Sequence, residues 1–373
     1  MRLEEFSSRI LTCSLCLKMC KYVCPVASVV RYEPVYPPNK ALIAHMILSG
    51  MINLKDEGEN VARYAYLCTT CGLCSTPPWC GLDVRLWEII EALRADLVDQ
   101  GIILEPVKRV LKSASENRNP YGENLHARFS KVKHVFSDDA DVVYFVGCTT
   151  SYRVPQIANA VIDVLSMAGL NFTLLKDEWC CGSPLIRLGL IDLAREHAEH
   201  NINALNDIGA KTVVFSCPGC YRTFKIDYER LGYKIKFEVK HVTEVVVDLL
   251  KSLKIRKKED ITATYHDPCH LGRHLGIFDA PRQILSVLGI QIREMQWRRE
   301  NSRCCGAGGG MLITNSEVAY AAGRRRVEEA LESGVKNLIT ACPFCRISLE
   351  RASGGKIEVK DVMELLAESL EER

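Results

Sequence analysis

Cysteine spacing carries the chemistry of this chain. Cys13-x2-Cys16-x3-Cys20-x3-Cys24, followed by Pro25, is the first of four groups, and Cys68-x2-Cys71-x2-Cys74-x5-Cys80 is the second. The third comprises Cys148, the step Cys180-Cys181-Gly182, and Cys217-x2-Cys220. The fourth comprises Cys269, the step Cys304-Cys305-Gly306, and Cys342-x2-Cys345. Together they use all 18 cysteines of the 373 residues. Adjacent Cys-Cys pairs and repeated Cys-x-x-Cys steps chelate metal far more readily than they staple a chain.

Four closely spaced thiolates with a proline after the last match the bacterial ferredoxin run. In that geometry three cysteines wrap one cube and the fourth reaches the neighbouring cube. The expectation is therefore two cubane [4Fe-4S] clusters. Cys13, Cys16, Cys20 and Cys80 would hold one, and Cys68, Cys71, Cys74 and Cys24 the other. Zinc is the competing metal, but Cys-x2-Cys-x2-Cys is too crowded for the well-separated pairs of a Cys₄ zinc site. The third and fourth groups supply five thiols each, one more than a cube needs. Either one cysteine in each is free, or the cluster is not an ordinary cube. Arg303-Cys-Cys-Gly-Ala-Gly-Gly-Gly310 is too glycine-rich for a packed strand, and it lacks the Lys-Ser/Thr of a phosphate loop.

The elements that must position these groups come from a duplication. Asp141-Val-Val-Tyr-Phe-Val-Gly-Cys148 answers to Ile261-Thr-Ala-Thr-Tyr-His-Asp-Pro-Cys269, and Phe237-Glu-Val-Lys-His-Val242 answers to Ile357-Glu-Val-Lys-Asp-Val362. In the first copy the pattern predicts a strand over 141–147, a helix near 155–168 and a strand near 171–175. A long helix near 187–208 and a strand over 212–216 follow. Such βαβ alternation predicts an α/β domain with a mostly parallel sheet and cysteines at the carboxyl edge. Residues before about 130 carry helical periodicity at Ala41–Leu48 and Trp87–Asp99 and few strand signals. Pro34, Pro37 and Pro38 break the chain between the first two groups. The fold class is thus α+β multidomain, a helical ferredoxin-like region over 1–130 followed by α/β copies over 140–250 and 260–373. Residues 113–140 read as a connection, and the basic run Lys251–Lys258 as a solvated linker.

Composition narrows the function classes. Lys plus Arg is 48 against 46 for Asp plus Glu, a net charge of +2, which gives no electrostatic reason to expect nucleic acid. No run approaches the length of a membrane span, and the acidic N-terminus lacks an apolar leader. The expectation is a cytoplasmic protein whose membrane attachment, if any, comes through a partner protein.

The whole chain resembles the iron–sulfur family of heterodisulfide reductase. It is especially similar to the family's D-type chain, which fuses a ferredoxin-like region to two cysteine-rich CCG domains. The residues that carry the likeness are Cys148, Cys180-Cys181-Gly182 and Cys217-x-x-Cys220 in the first copy. In the second they are His266-Asp-Pro-Cys-His-Leu-Gly-Arg273, Arg299-Glu-Asn-Ser-Arg-Cys-Cys-Gly306 and Cys342-x-x-Cys345. The resemblance implies that each complete five-cysteine motif holds a noncubane [4Fe-4S] cluster. Catalysis would then fall to Cys148, Cys180, Cys181, Cys217, Cys220, Cys269, Cys304, Cys305, Cys342 and Cys345. It further implies a thiol/disulfide oxidoreductase, in which electrons enter at the cubanes and a disulfide between the two motifs is cleaved in two one-electron steps. An alternative is a relay between a flavoprotein dehydrogenase and a quinone or cytochrome. A third reading is a zinc-bound scaffold, which five thiolates disfavour. The implied partner is a flavoprotein or a membrane cytochrome.

Among other residues, His266 and Asp267 are expected to cap the turn into a helix, with Asp267 as N-cap. His270 or Arg273 is the polar neighbour that would supply a proton or hold a substrate carboxylate or phosphate. Lys176–Trp179 is expected to form an apolar lid, and Trp179 and Trp297 to be packing residues. Arg324, Arg325 and Arg326, followed by Glu328 and Glu329, read as an exposed helix face.

Overall fold

The computed structural model describes residues 1–17, 19–137, 139–258 and 261–371. Among these, no strand precedes Val142. The N-terminal region is built from the helices Ser7–Ser14, Pro37–Leu48, Leu54–Ala65, Leu86–Asp99 and Glu105–Asn117. Pro37 and Pro38 do not merely interrupt the chain. They occupy the first turn of the helix they precede, where a missing N–H costs nothing and a fixed φ helps. Helix Leu86–Asp99 runs through the middle of the molecule, so even Glu88, Glu91, Arg94 and Asp96 on it are buried. Each of these charges needs a partner inside the protein.

Two four-stranded sheets follow. β1 (Val142–Phe145), β2 (Phe172–Leu174), β3 (Thr212–Phe215) and β4 (Glu238–His241) form the first. β5 (Thr262–His266), β6 (Gln291–Ile292), β7 (Asn337–Thr340) and β8 (Glu358–Asp361) form the second. The spatial orders are β2-β1-β3-β4 and β6-β5-β7-β8, and every pair is parallel. Continuous apolar strands such as Val-Val-Tyr-Phe suit sheets covered on both faces. Both copies end alike: His241 and Asp361 cap the helices Val242–Leu249 and Val362–Ala367, each in a reciprocal capping box with Glu244 or Glu364. The copies pack through equivalent faces. Helix Pro155–Met167 meets Val362–Ala367, and Val242–Leu249 meets Asp279–Val287.

Two expected elements differ. The helix near 187–208 is two helices, Ser183–Leu188 and Ile191–Asp207. Gly189 separates them at φ +84°, and a Cβ there would stand 2.5 Å from the Arg94 backbone. The break therefore lets the first copy lie directly against the central helix. Residues 113–140 are more than a connection, because helix Glu105–Asn117 extends into them and Arg128 is fully buried. The basic run is partly pinned: Ile255 bridges Leu370 and Lys258 pairs with Glu368 at 2.9 Å.

Candidate metal centres

Each α/β copy has its topological switch between the first and third strands, where crevices open at carboxyl ends. Cys148 follows β1 and Cys217 lies two residues past β3; Cys269 and Cys342 stand at the same places after β5 and β7. The two crevices face each other and form one cleft of about 190 Å³. Cys148, Cys181, Cys217 and Cys220 line it from one copy, and Cys269, Cys305, Cys342 and Cys345 from the other. Cys180 and Cys304 lie behind this lining, with Cys180 3.6 Å from Cys148. Cys305 and Cys345 approach to 3.4 Å, and Cys217 hydrogen-bonds Cys342 across the seam.

The N-terminal cysteines gather in two smaller cavities. An outer one is lined by Cys13, Cys16, Cys20 and Cys80 with Pro37, Pro38, Trp79, Leu82 and Val84. An inner one is lined by Cys24, Cys68, Cys71 and Cys74 with Pro25, Lys40, Gly72 and Trp87. Cys74 touches both, standing between them. Burial pushes the Cys13 and Cys20 thiols up to about 12 and Cys24 up to about 11. Clustered thiols held in such surroundings are poor nucleophiles, and a metal that binds thiolate is what makes the arrangement favourable. None of the 18 cysteines forms a disulfide. Closely packed sulfur donors without carboxylates among them fit iron–sulfur clusters by donor chemistry.

The inner cavity abuts the second copy. Cys71 hydrogen-bonds Cys304, which raises the Cys71 thiol well above its ordinary value, with burial adding to it. The glycine run makes this approach possible: a Cβ on Gly309 would meet the Cys68 carbonyl at 2.6 Å. Arg273 and His274 latch the same junction. Arg273 donates to the carbonyls of Cys71 at 2.8 Å, Glu300 at 2.9 Å and Ser302, and His274 Nε2 lies 3.2 Å from the Cys71 carbonyl. Arg273 is therefore committed to the junction and does not line the cleft. His270 does line it, with a buried and unpartnered Nε2.

Other expectations are corrected. No helix starts after Asp267; its carboxylate instead accepts from Arg282 at 2.6 Å and from the Arg299 amide at 2.8 Å. Lys176–Trp179 is not an apolar lid. Glu178 is fully buried, pairs with Arg128, and accepts from the Val146 and Gly147 amides at 2.8 and 2.9 Å, so it fixes the turn before Cys148. Trp179 stacks on His200 at 3.7 Å, and Trp297 stacks on Trp79 at 5.4 Å. Of the five charges read as an exposed face, only Arg324, Arg325 and Glu328 are exposed. Arg326 is 0% exposed, pairs with Glu329 at 2.7 Å and donates to His266 Nδ1 at 3.1 Å, and a His266 ring nitrogen lies within 4.8 Å of the Cys305 sulfur. Sequence pattern did not single out Lys40, Arg94, Glu91, Arg187 or Asp227. The available signal was a charge set inside an apolar helical run, as at Lys40 before Ala-Leu-Ile-Ala.

Comparisons with known proteins agree with this architecture. A family model described as cysteine-rich domain matches residues 142–225 and 263–350, and one described as 4Fe-4S dicluster domain matches 9–77. The fold and its thiol-lined sites define an iron–sulfur oxidoreductase in which a dicluster region feeds two CCG domains. The dicluster region implies two cubane [4Fe-4S] clusters, and cysteine-rich domains of this kind are associated with noncubane ones. The chain is 44% identical to the D-type chain of dihydromethanophenazine:CoB–CoM heterodisulfide reductase from Methanosarcina barkeri, over 81% of this chain and 77% of that one. It belongs to this D-type family of heterodisulfide reductase chains. It is also 33% identical to the B-type chain of a fumarate reductase (CoM/CoB) from Methanothermobacter marburgensis, over 84% of this chain and 64% of that one. An EtfAB:quinone oxidoreductase from Syntrophomonas wolfei is 28% identical over 82% of this chain and 46% of that one. No helix among the described residues is long and apolar enough to cross a membrane.

Proposed function

We propose that this chain reduces a disulfide held in the cleft between its two CCG motifs. One observation carries the reading: eight of the ten motif cysteines line a single shared cleft. A pure relay needs no such space. We assign Cys13, Cys16, Cys20 and Cys80 to the outer cubane site and Cys24, Cys68, Cys71 and Cys74 to the inner one. The ten remaining cysteines form the two noncubane sites. When bound, the clusters supply one-electron chemistry and a Lewis-acid face for leaving thiolates.

The chain's own residues do the rest. Leu312, Ile313, Phe344 and four prolines give the cleft an apolar wall that keeps water from a bound disulfide. Tyr121, bonded to Thr149 at 2.8 Å, and His270 offer it polar atoms. Arg187 also lines the cleft, but Asp227 and Glu91 neutralise it, so it supports the wall rather than adding charge. The Cys71–Cys304 contact makes the second copy the point where electrons leave the dicluster region. The disulfide takes up two electrons and two protons and leaves as two thiols.

Electrons arrive from a redox partner, a flavoprotein or a membrane cytochrome. Leu82 lines the outer cavity, and Leu15, Leu17, Met19 and Tyr22, chain neighbours of its Cys16 and Cys20, are exposed, Leu17 93% and Leu15 77%. An apolar patch of this kind beside a redox centre fits a docking surface, and it would be the route of any membrane association.

Iron, acid-labile sulfide and zinc counts on anaerobic protein test the assignment, together with thiol release from a disulfide by the pre-reduced protein. Roughly sixteen irons per chain, from four clusters, with stoichiometric thiol release is the expected result. About eight irons with zinc in the CCG copies would overturn it.

A further inference from the structure

We propose that Lys40 and Arg94 make the inner cubane site the more easily reduced of the two, so that an electron delivered at the surface is drawn inward. The proposal rests on the cluster assignment above. It starts from a difference between the two cavities.

Lys40 lines the inner cavity beside Cys24, Cys68, Cys71 and Cys74 and is only 3% exposed. Its ammonium donates to the Val35 carbonyl at 2.6 Å. Among the described residues no carboxylate pairs with it. Arg94, on the central helix, is fully buried and stands behind the cavity wall at Cys68. It donates to the carbonyl of Cys68 itself at 2.7 Å and to those of Ala65, Arg187 and Gly309. It too forms no ion pair among the described residues; the nearby Glu91 pairs with Arg187 and Arg222 instead. Two buried cations without counter-charges are costly unless an anion compensates them. Four thiolates on an iron–sulfur core supply that anion.

Among the described residues, none that lines the outer cavity is charged. Burial and the neighbouring thiols are what act on Cys13 and Cys20. Among the described residues the cations nearby are paired or at the surface. Arg9 binds Glu88 at 2.7 Å, Arg85 binds Asp83 at 3.0 Å, and Lys21 lies over the exposed Tyr22 ring.

Reduction adds one negative charge to a cluster that is already an anion. Nearby positive charge in a low-dielectric site therefore favours the reduced form, and cluster potentials follow local charge. Solvent at the outer cavity acts in the same direction, but as a screened dipolar response rather than two fixed charges in contact. The transfer oxidises the outer site by one electron and reduces the inner site by one. No proton need move, because the compensating charges are already in place.

An anaerobic redox titration of the full-length loaded protein, followed by EPR, tests this. K40M should shift the equilibrium of one cubane signal at least tenfold toward its oxidised form, 59 mV for a one-electron couple. The other cubane signal should not move, and K40R should restore the wild-type value. C16S marks the outer site, because whichever signal it alters or removes belongs there. In the wild-type protein that signal must be the lower-potential one. An unmoved pair of signals in K40M, or a C16S effect on the higher-potential signal, overturns the proposal. If K40M fails to retain iron, the C16S ordering decides alone. An iron count well short of sixteen would indict the assignment instead; full iron with unmoved potentials indicts only the role of these cations.

Discussion

The two CCG copies share strand order, cysteine spacing and C-terminal capping, yet they hold their motifs by different means. By register, His266 of β5 occupies the place of Phe145 in β1, since both pair with the third strand at the equivalent residue. In the first copy that place is plain core, and Phe145 packs on Phe215 and Phe224. In the second it ends a polar chain from Glu329 through Arg326 to His266, a ring nitrogen of which lies within 4.8 Å of the Cys305 sulfur. The first copy has its own buried ion pair, Glu178 with Arg128, but directs it at the turn before Cys148. The second copy is also the one that touches the inner cubane cavity. A duplicated scaffold has thus kept the placement of its cysteines while the surroundings of each motif diverged. Duplication fixes where ligands stand; the neighbours of each ligand are free to set what the site does.

That comparison can be broken at several levels. The largest effect should come from the motifs themselves. C181A and C305A should each lose about four irons, one cluster's worth, and each should abolish disulfide reduction. Full turnover in either variant would mean that the copies work independently.

Next come the two buried ion pairs. E178A and R326A should each cost about 3–5 kcal/mol in anaerobic denaturation, because each leaves a buried charge unpaired. A much smaller cost for one of them would show that only the other copy depends on its pair. Smaller again is H266F, which gives the second copy the first copy's residue. It leaves Arg326 Nε without an acceptor and should cost about 1–3 kcal/mol. It should also change the EPR signature of the second motif alone, while F145H has no Arg326 equivalent to orient it and should not mimic the native second copy. R324A, one turn-face away from Arg326, should stay within about 0.5 kcal/mol of wild type. A large loss there would return the arginine helix to a single role.

Much of the fold was legible in the sequence. Strands Val142–Phe145 and Thr212–Phe215 stood out because parallel strands buried on both faces read as unbroken apolar runs. The helices around Ala41–Leu48 and Trp87–Asp99 stood out by period. The break at Gly189 did not, because it is forced by the approach of Arg94, a residue far away in the chain. Arg326 looked like its exposed neighbours for a similar reason: a charge run gives no sign of which face the tertiary structure will bury. Asp267 resembled an N-cap, but Arg282 and the Arg299 amide had prior claim on its carboxylate.

By itself the sequence determined the inventory: four thiol groups, their spacing, the duplication and the helical character of the first region. These are local properties, since ligand spacing and apolar period are written within a few residues. Only the tertiary structure decided that the two CCG crevices open into one cleft, that Cys71 reaches Cys304, and that Lys40 lines the inner cysteine cavity with Arg94 behind it at Cys68. Those relations join residues far apart in the chain through packing. Packing depends on which faces the whole molecule buries together, and no single stretch of sequence records that.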